Sequence, residues 1–254
     1  MSQLRAQLLK GLKELRLPTI RDSFEEEAMR AEAESLGYEH YLLELIQREC
    51  EERQNKRVER YLRESKIPPE KSLSQYEQER LPLRVRQKLR TLLSGDFLSR
   101  QENILAFGNP GSGKTHLLCA LGQELIREGA RVYFTTGALL VQELLLAKQE
   151  LRLGRKIKHF AKFDAVIIDD IGYVQQNQAE MEVLFTFLSE RYERGSVMLS
   201  SNLPFSQWDK IFKNPMVTAA AIDRLVHHSV ILELNLPSYR MAVAKESLEG
   251  ELKE

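Results

Sequence analysis

Apolar positions in the first 66 residues recur three and four apart, as in Leu4, Leu8, Leu12 and Leu15 and again in Tyr41, Leu42, Leu45 and Ile46, the spacing of one face of a helix. Proline interrupts this stretch only at Pro18, and glycine only at Gly11 and Gly37. The pattern predicts a helical domain over 1–66, broken at Pro18-Thr19 and at Ser35–Tyr38, whose last helix runs from about Tyr38 to Arg63. Ile67-Pro68-Pro69 closes it. A connector over 67–100 follows, with one helix from about Leu83 to Leu93 that carries Arg84, Arg86, Lys88 and Arg90 and no acid.

From residue 101 the period changes. Short apolar runs at Asn103–Phe107, Arg131–Thr135, Ala165–Asp169, Val197–Ser200 and Val230–Leu234 are bounded by Gly, Asp or Ser and separated by helical stretches. Strands alternating with helices predict an α/β domain over 101–254, a parallel sheet with helices on both faces. The chain thus reads as a small all-helical domain, a connector and an α/β core. At 254 residues, with 43% hydrophobic positions, it is long enough for such a core and an appendage.

Charge and cysteine narrow the class. Lys and Arg number 37 and Asp and Glu 37, which excludes a uniformly basic coat for nucleic acid but not a local basic stripe. Cys50 and Cys119 are the two cysteines and have no metal or disulfide spacing, so a reducing, cytoplasmic setting is expected. No apolar run approaches the roughly 18 residues of a membrane span, and charges interrupt the first 17 residues where a signal peptide would hold its apolar core.

Three local patterns carry chemistry. Gly108-Asn109-Pro110-Gly111-Ser112-Gly113-Lys114-Thr115, then His116, fits GxxxxGK[ST] between an expected strand and an expected helix. Its glycines let backbone N–H groups close on phosphate oxygens at the helix N-terminus, Lys114 would reach the β- and γ-phosphates, and Thr115 would ligate Mg²⁺. Val166-Ile167-Ile168-Asp169-Asp170 is a buried-type strand ending in two acids; Asp169 is placed for Mg²⁺ and Asp170 for orienting an attacking water. Ser200-Ser201-Asn202 ends the next strand. If that strand lies between the phosphate-loop strand and the acidic strand, Asn202 faces the γ-phosphate; otherwise it is an ordinary turn former.

With Ser201-Asn202-Leu203-Pro204-Phe205 and Ile222-Asp223-Arg224-Leu225 added, this set resembles the AAA+ ATPases, and within them the IstB/DnaC-like group. The phrases GNPGSGKTHL, SNLPFSQW and DRLVHHS tilt the resemblance to the IstB side. It implies an ATP- and Mg²⁺-dependent ATPase that assembles into a ring or spiral on double-stranded DNA and recruits or activates a cognate transposase. It also implies that Arg224 is an arginine finger reaching a neighbour's γ-phosphate, with Arg191 and Arg194 as fallbacks and a surface ion pair with Asp223 or a nearby acid as the plain alternative. Two departures stand out: Asp170 occupies a position where most AAA+ proteins carry Glu, and residues 235–254 are too few for the usual helical lid, so the lid is expected to be absent or vestigial and Arg240 is a doubtful second sensor.

Two basic stripes are candidates for DNA. Arg53, Lys56, Arg57, Arg60 and Arg63 share one side of the long helix, although interleaved glutamates could pair with them. Lys148, Arg152, Arg155, Lys156, Lys158 and Lys162 precede the acidic strand and suit phosphate contacts that are independent of sequence. Trp208 reads as a packing residue, and His227-His228 lack a third metal ligand at useful spacing. A helicase loader, a small-molecule kinase and a nucleotide-locked interaction module remain open at this level.

Overall fold

A computed structural model describes residues 3–171, 177–212, 215–239 and 241. The chain divides into two compact units, Met1–Arg60 and Tyr61–Glu254. The division falls within a helix, six residues before the boundary expected at 66.

The first unit contains α1 (Gln3–Glu14), α2 (Pro18–Ala33) and most of α3 (Tyr38–Ser65). Pro18 suits the first turn of α2 because a helix start has no use for its missing N–H. The next donors find a partner in α3. Glu49, itself buried, accepts from Thr19 N at 2.8 Å and Ile20 N at 3.1 Å, so a carboxylate from one helix caps another. Arg53 holds Glu49 at 2.7 Å and also donates to the Arg16 carbonyl. Burial pushes the Glu49 carboxyl up, but the bonds from Arg53, Ile20 and Thr19 outweigh it and hold it below the ordinary carboxylate range. Buried Glu27 is matched by Arg30 at 3.2 Å and Arg48 at 2.5 Å.

The second unit holds α4 (Leu83–Leu92), α5 (Asp96–Ser99), β1 (Asn103–Gly108), α6 (Lys114–Arg127), β2 (Val132–Thr136), α7 (Gly137–Gln149), α8 (Leu153–Phe160), β3 (Ala165–Asp169), α9 (Gln178–Arg191), β4 (Ser196–Ser201), α10 (Asp209–Phe212), α11 (Pro215–Val226) and β5 (Ser229–Leu234). The five strands form one parallel sheet in the order β2-β3-β4-β1-β5. β4 therefore lies between the phosphate-loop strand and the acidic strand, the condition set for Asn202. Leu105, Val166, Ile168, Val197 and Leu199 point into a core shared with α7, α9 and α11. On the other face α6 buries Leu117, Leu118, Leu121 and Leu125, and Ile67 of the connector packs over Gly122 beside Ile167.

The connector belongs to this unit. Leu81, Val85, Leu89, Leu92 and Phe97 are buried in it. Irregular chain runs alongside α6, where Gln123 donates to Pro68 O at 3.0 Å and His116 Nε2 meets Ser72 O at 2.9 Å.

Arg191 has a structural post. Its guanidinium is buried and donates to the carbonyls of Phe160 (3.0 Å), Phe163 (2.9 Å), Asp164 (3.1 Å) and Ser196 (2.8 Å), tying the end of α8 to the start of β4. Burial pulls its pKa down to about 10. A side chain spent on four carbonyls cannot reach a neighbouring subunit, so Arg191 is removed from the candidate fingers. Trp208 is fully buried and donates to Leu203 O at 3.2 Å, as expected of a packing residue.

Candidate nucleotide site

The site gathers at the C-terminal ends of β1, β3 and β4, where three adjacent parallel strands deliver their loops to one place. Gly111 (φ +79°) and Gly113 (φ +91°) adopt left-handed backbone that side chains rarely tolerate. A Cβ on Gly113 would lie 2.9 Å from the Tyr76 hydroxyl, and one on Gly111 would overlap Ser238. The loop is thus packed from outside by the connector and by the segment after β5.

Lys114 is buried at the start of α6, and its ammonium donates to Gly108 O at 2.8 Å and Asn109 O at 2.9 Å. Thr115 Oγ1 donates to Asp169 Oδ1 at 2.7 Å, and Ser200 Oγ donates to the same oxygen at 2.6 Å. The backbone N–H of Asp170 donates to Ser200 Oγ at 2.8 Å, and Asp170 sits at φ +53°.

Lys114, Thr115 and Asp170 border a cavity of about 250 Å³ lined by Pro110–His116, Asp170 and Asn202, by Lys71, Gln75, Tyr76, Glu77 and Arg80 of the connector, and by Leu236, Pro237 and Tyr239; Asp169 and Ser200 do not line it. Arg80 stacks on Tyr239 with its guanidinium 5.0 Å from the ring, and Tyr239 N donates to Gly111 O at 3.0 Å. Burial pushes the Tyr76 phenol up to about 12, so it is a neutral donor at any ordinary pH. Gly108 and Asn109 do not line the cavity; they contribute the carbonyls that park Lys114. His116 lines it with a ring turned to Ser72 and Tyr76.

The donor set suits a nucleotide with its metal. Among the described residues, two buried oxygens here find no hydrogen-bond partner, Asn202 Oδ1 and Ser112 Oγ, which is costly unless a ligand or water completes them. Thr115 and Asp169 already point at one another as a hydroxyl and carboxylate that share Mg²⁺ would.

Arg224 does not line this cavity. It lies on α11, half-buried, with its guanidinium 4.8 Å from the Phe185 ring and a bond to Ala220 O at 3.0 Å. The ion pair with Asp223, its plain alternative, is not among the salt bridges of the described residues. Arg194 is exposed and paired with Glu190 at 2.9 Å. Arg240 and residues 242–254 lie outside the described residues, and with them the second-sensor and lid expectations.

The basic stripes fare unequally. Arg53 and Lys56 are engaged with Glu49 and Glu52, and exposed Arg57 and Arg60 complete the row on α3. Lys148 pairs with Glu182 at 2.7 Å, Arg152 with Glu150 at 2.7 Å and Lys156 with Glu143 at 2.6 Å. No ion pair engages exposed Arg155, Lys158 and Lys162 among the described residues. These last three border a groove of about 530 Å³ between α7 and α8. The expectation that His227-His228 have no third ligand is corrected: the turn after α9 brings Glu193 alongside, all three ligand atoms lying within 4.8 Å of one another, exposed.

Sequence reasoning missed Tyr76, Arg80 and Tyr239, which belong to no motif, and it saw in Ser200 only the end of a strand.

Known proteins place the chain in a family of ATP-binding proteins. Residues 10–247 match the family described as IstB-like ATP binding protein. An insertion-sequence ATP-binding protein of Sinorhizobium fredii is 42% identical over 237 residues, covering 93% of this chain and 80% of that one. The insertion sequence IS21 ATP-binding protein of Pseudomonas aeruginosa is 36% identical over 234 residues, covering 92% and 87%. Among solved structures, the DnaC helicase loader superposes with a TM-score of 0.55 at 16% identity, over 68% of this chain and 98% of that one. AMPPCP-bound DnaA from Aquifex aeolicus gives 0.55 at 20% identity, over 73% of this chain and 56% of DnaA, so the chain spans about half of that protein. At these identities the structures speak for the AAA+ fold alone.

Proposed function

Because the chain belongs to the IstB-like ATP-binding proteins, AAA+ ATPases associated with insertion sequences, we propose that it assembles on duplex DNA with ATP between its subunits and engages the transposase of its element. The observation that carries the reading is the convergence of Lys114, Thr115, Asp170 and Asn202 on one cavity, with Asp169 bonded to Thr115 behind it, that Arg224 does not line.

In this reading Lys114 exchanges two loop carbonyls for β- and γ-phosphate oxygens. Thr115 and Asp169 would hold Mg²⁺, which would neutralise charge on the phosphoryl oxygens. Asn202 and Asp170 align a water against the γ-phosphorus; as its oxygen bonds to phosphorus the bridging P–O bond breaks, and its proton passes to the Asp170 carboxylate. Arg224 of a neighbouring subunit supplies the remaining positive charge. The shorter reach of Asp170 relative to Glu favours turnover that rises only once DNA or a partner completes the site.

Arg155, Lys158 and Lys162, which make no ion pair among the described residues, are the proposed phosphate contacts, and Arg57 and Arg60 of α3 are a further set. One subunit offers too few such contacts to hold DNA at physiological salt, whereas an assembly repeats them. Relatives named for insertion sequences favour a transposase over a replicative helicase as the partner. The test is subunit mixing: Arg224→Ala and Lys114→Ala proteins, each inactive alone, should regain turnover together, because each interface needs one finger and one intact loop. Failure at every ratio, with mixed assembly verified, would contradict a finger acting between subunits.

A further inference from the structure

Ser200 is a fully buried hydroxyl in the central strand β4, and nothing about packing an apolar strand calls for it. Its two bonds both serve the acids of the neighbouring strand: it donates to Asp169 Oδ1 at 2.6 Å and accepts from Asp170 N at 2.8 Å. One oxygen therefore spans the two consecutive residues to which the metal-side and water-side roles were assigned.

We infer that Ser200 is the positioning residue that sets the relative placement of the two acids for ATP hydrolysis. The inference rests on the roles given above to Asp169 and Asp170. Asp169 Oδ1 accepts hydrogen bonds from both Thr115 and Ser200, so its position is fixed from two sides. Were Mg²⁺ held by Thr115 and Asp169, the Ser200 bond would still fix the carboxylate from the β4 side. This is the arrangement by which outer-shell partners orient metal ligands.

The second bond addresses backbone strain. Asp170 has φ +53°, a left-handed conformation costly to most residues and tolerated best by Asn, Asp and Gly. With its N–H anchored on Ser200, the residue is held there and its side chain borders the cavity beside Asn202. Without that acceptor the N–H would have to find another, and the simplest relaxation is a return of Asp170 to negative φ, which re-aims the carboxylate. Ser200 touches neither nucleotide nor water in this account and acts wholly through its neighbours.

Two signatures separate this from a plain packing role. Removing the hydroxyl should lower kcat and raise the Mg²⁺ concentration needed for half-maximal turnover, while Mg²⁺-free nucleotide binding, which depends on the loop and Lys114, stays put. The experiment uses the full chain with duplex DNA, comparing Ser200→Ala, Ser200→Thr and Ser200→Cys with the parent, and Asp170→Asn as a control. Thermal melts and binding of a fluorescent ATP analogue in EDTA select the variants that are folded. We expect Ser200→Ala to lose about 10- to 100-fold in kcat and to need about tenfold more Mg²⁺, with analogue affinity within twofold. A hydroxyl restored by Ser200→Thr, or a weak donor by Ser200→Cys, should recover part of the loss. Parental kcat and Mg²⁺ dependence in folded Ser200→Ala overturn the inference. So does a loss confined to analogue affinity, or one that no folded hydroxyl- or thiol-bearing variant recovers. If Asp170→Asn turns over at the parental rate, the acid assignment itself has failed; if it is inactive while Ser200→Ala is parental, only the role of Ser200 has.

Discussion

Replacing Lys114 by alanine isolates the electrostatic contribution of the phosphate loop. The ammonium is buried and bonded to two loop carbonyls, at 2.8 and 2.9 Å. Beside a phosphate at about 4 Å, a unit charge pair at an effective dielectric near 20 is worth about 4 kcal/mol per unit charge. Two phosphate groups give about 8 kcal/mol, while the parent gives up two carbonyl contacts worth about 1.5–3 kcal/mol each, so the net loss on Lys114→Ala falls at about 2–5 kcal/mol. That corresponds to a Kd for ATP raised about 30- to 4,000-fold. The fold should hardly respond, because the carbonyls of Gly108 and Asn109 lie on partly or fully exposed residues that water can serve. Anisotropy of a fluorescent ATP analogue, paired with thermal melts, gives both numbers. A folded Lys114→Ala protein with a Kd within threefold of the parent would show that this loop does not hold the phosphates.

Asp170→Asn should keep parental affinity for ATP and lose about 10²- to 10⁴-fold in turnover, the span of general base catalysis, as measured by phosphate release; parental turnover would place water activation elsewhere. Glu49→Ala should destabilise the first unit by about 1–3 kcal/mol, since the Thr19 and Ile20 N–H groups lose their acceptor. Because the folded Glu49 carboxyl lies below its ordinary value, its contribution is present above the unfolded pKa of about 4.3 and disappears as pH falls through the folded one. Hydrogen exchange in α2 against pH should therefore show acid loosening in the parent and a flatter profile in the variant, and equal profiles would remove the carboxylate cap.

The parts of this molecule that were legible in its sequence are those whose signal is local. The phosphate loop is eight consecutive residues, the acidic strand five, and the expected strand ends agree with the observed ones to within a residue or so. Asn202 needed one fact about strand order, and β4 does lie between β1 and β3. What escaped depends on contacts between segments far apart in sequence. Arg191 looks like any helix-end arginine until α8 and β4 present four carbonyls to it. Tyr76 acquires its place only because irregular chain tracks back along α6 to Gly113. The i,i+4 pairs of α3 were foreseeable, yet the partners of Lys148 and Lys156 on other helices were not, and with the Arg152–Glu150 pair they reduce six expected cations around α8 to three without an ion pair among the described residues.

The central claim is that ATP drives assembly on duplex DNA through cations that never touch the nucleotide. It is tested most directly by titrating a labelled duplex of arbitrary sequence with the full chain at several salt concentrations, with and without a non-hydrolysable ATP analogue, for the parent and for a variant in which Arg155, Lys158 and Lys162 are all replaced by Gln. The account predicts tight, salt-sensitive binding by the parent only with the analogue, and a plot of log affinity against log salt that is flatter by about one per neutralised contact in the variant, with base preference unchanged. Equal DNA affinity with and without nucleotide, or a salt slope that survives the loss of all three charges, would contradict it.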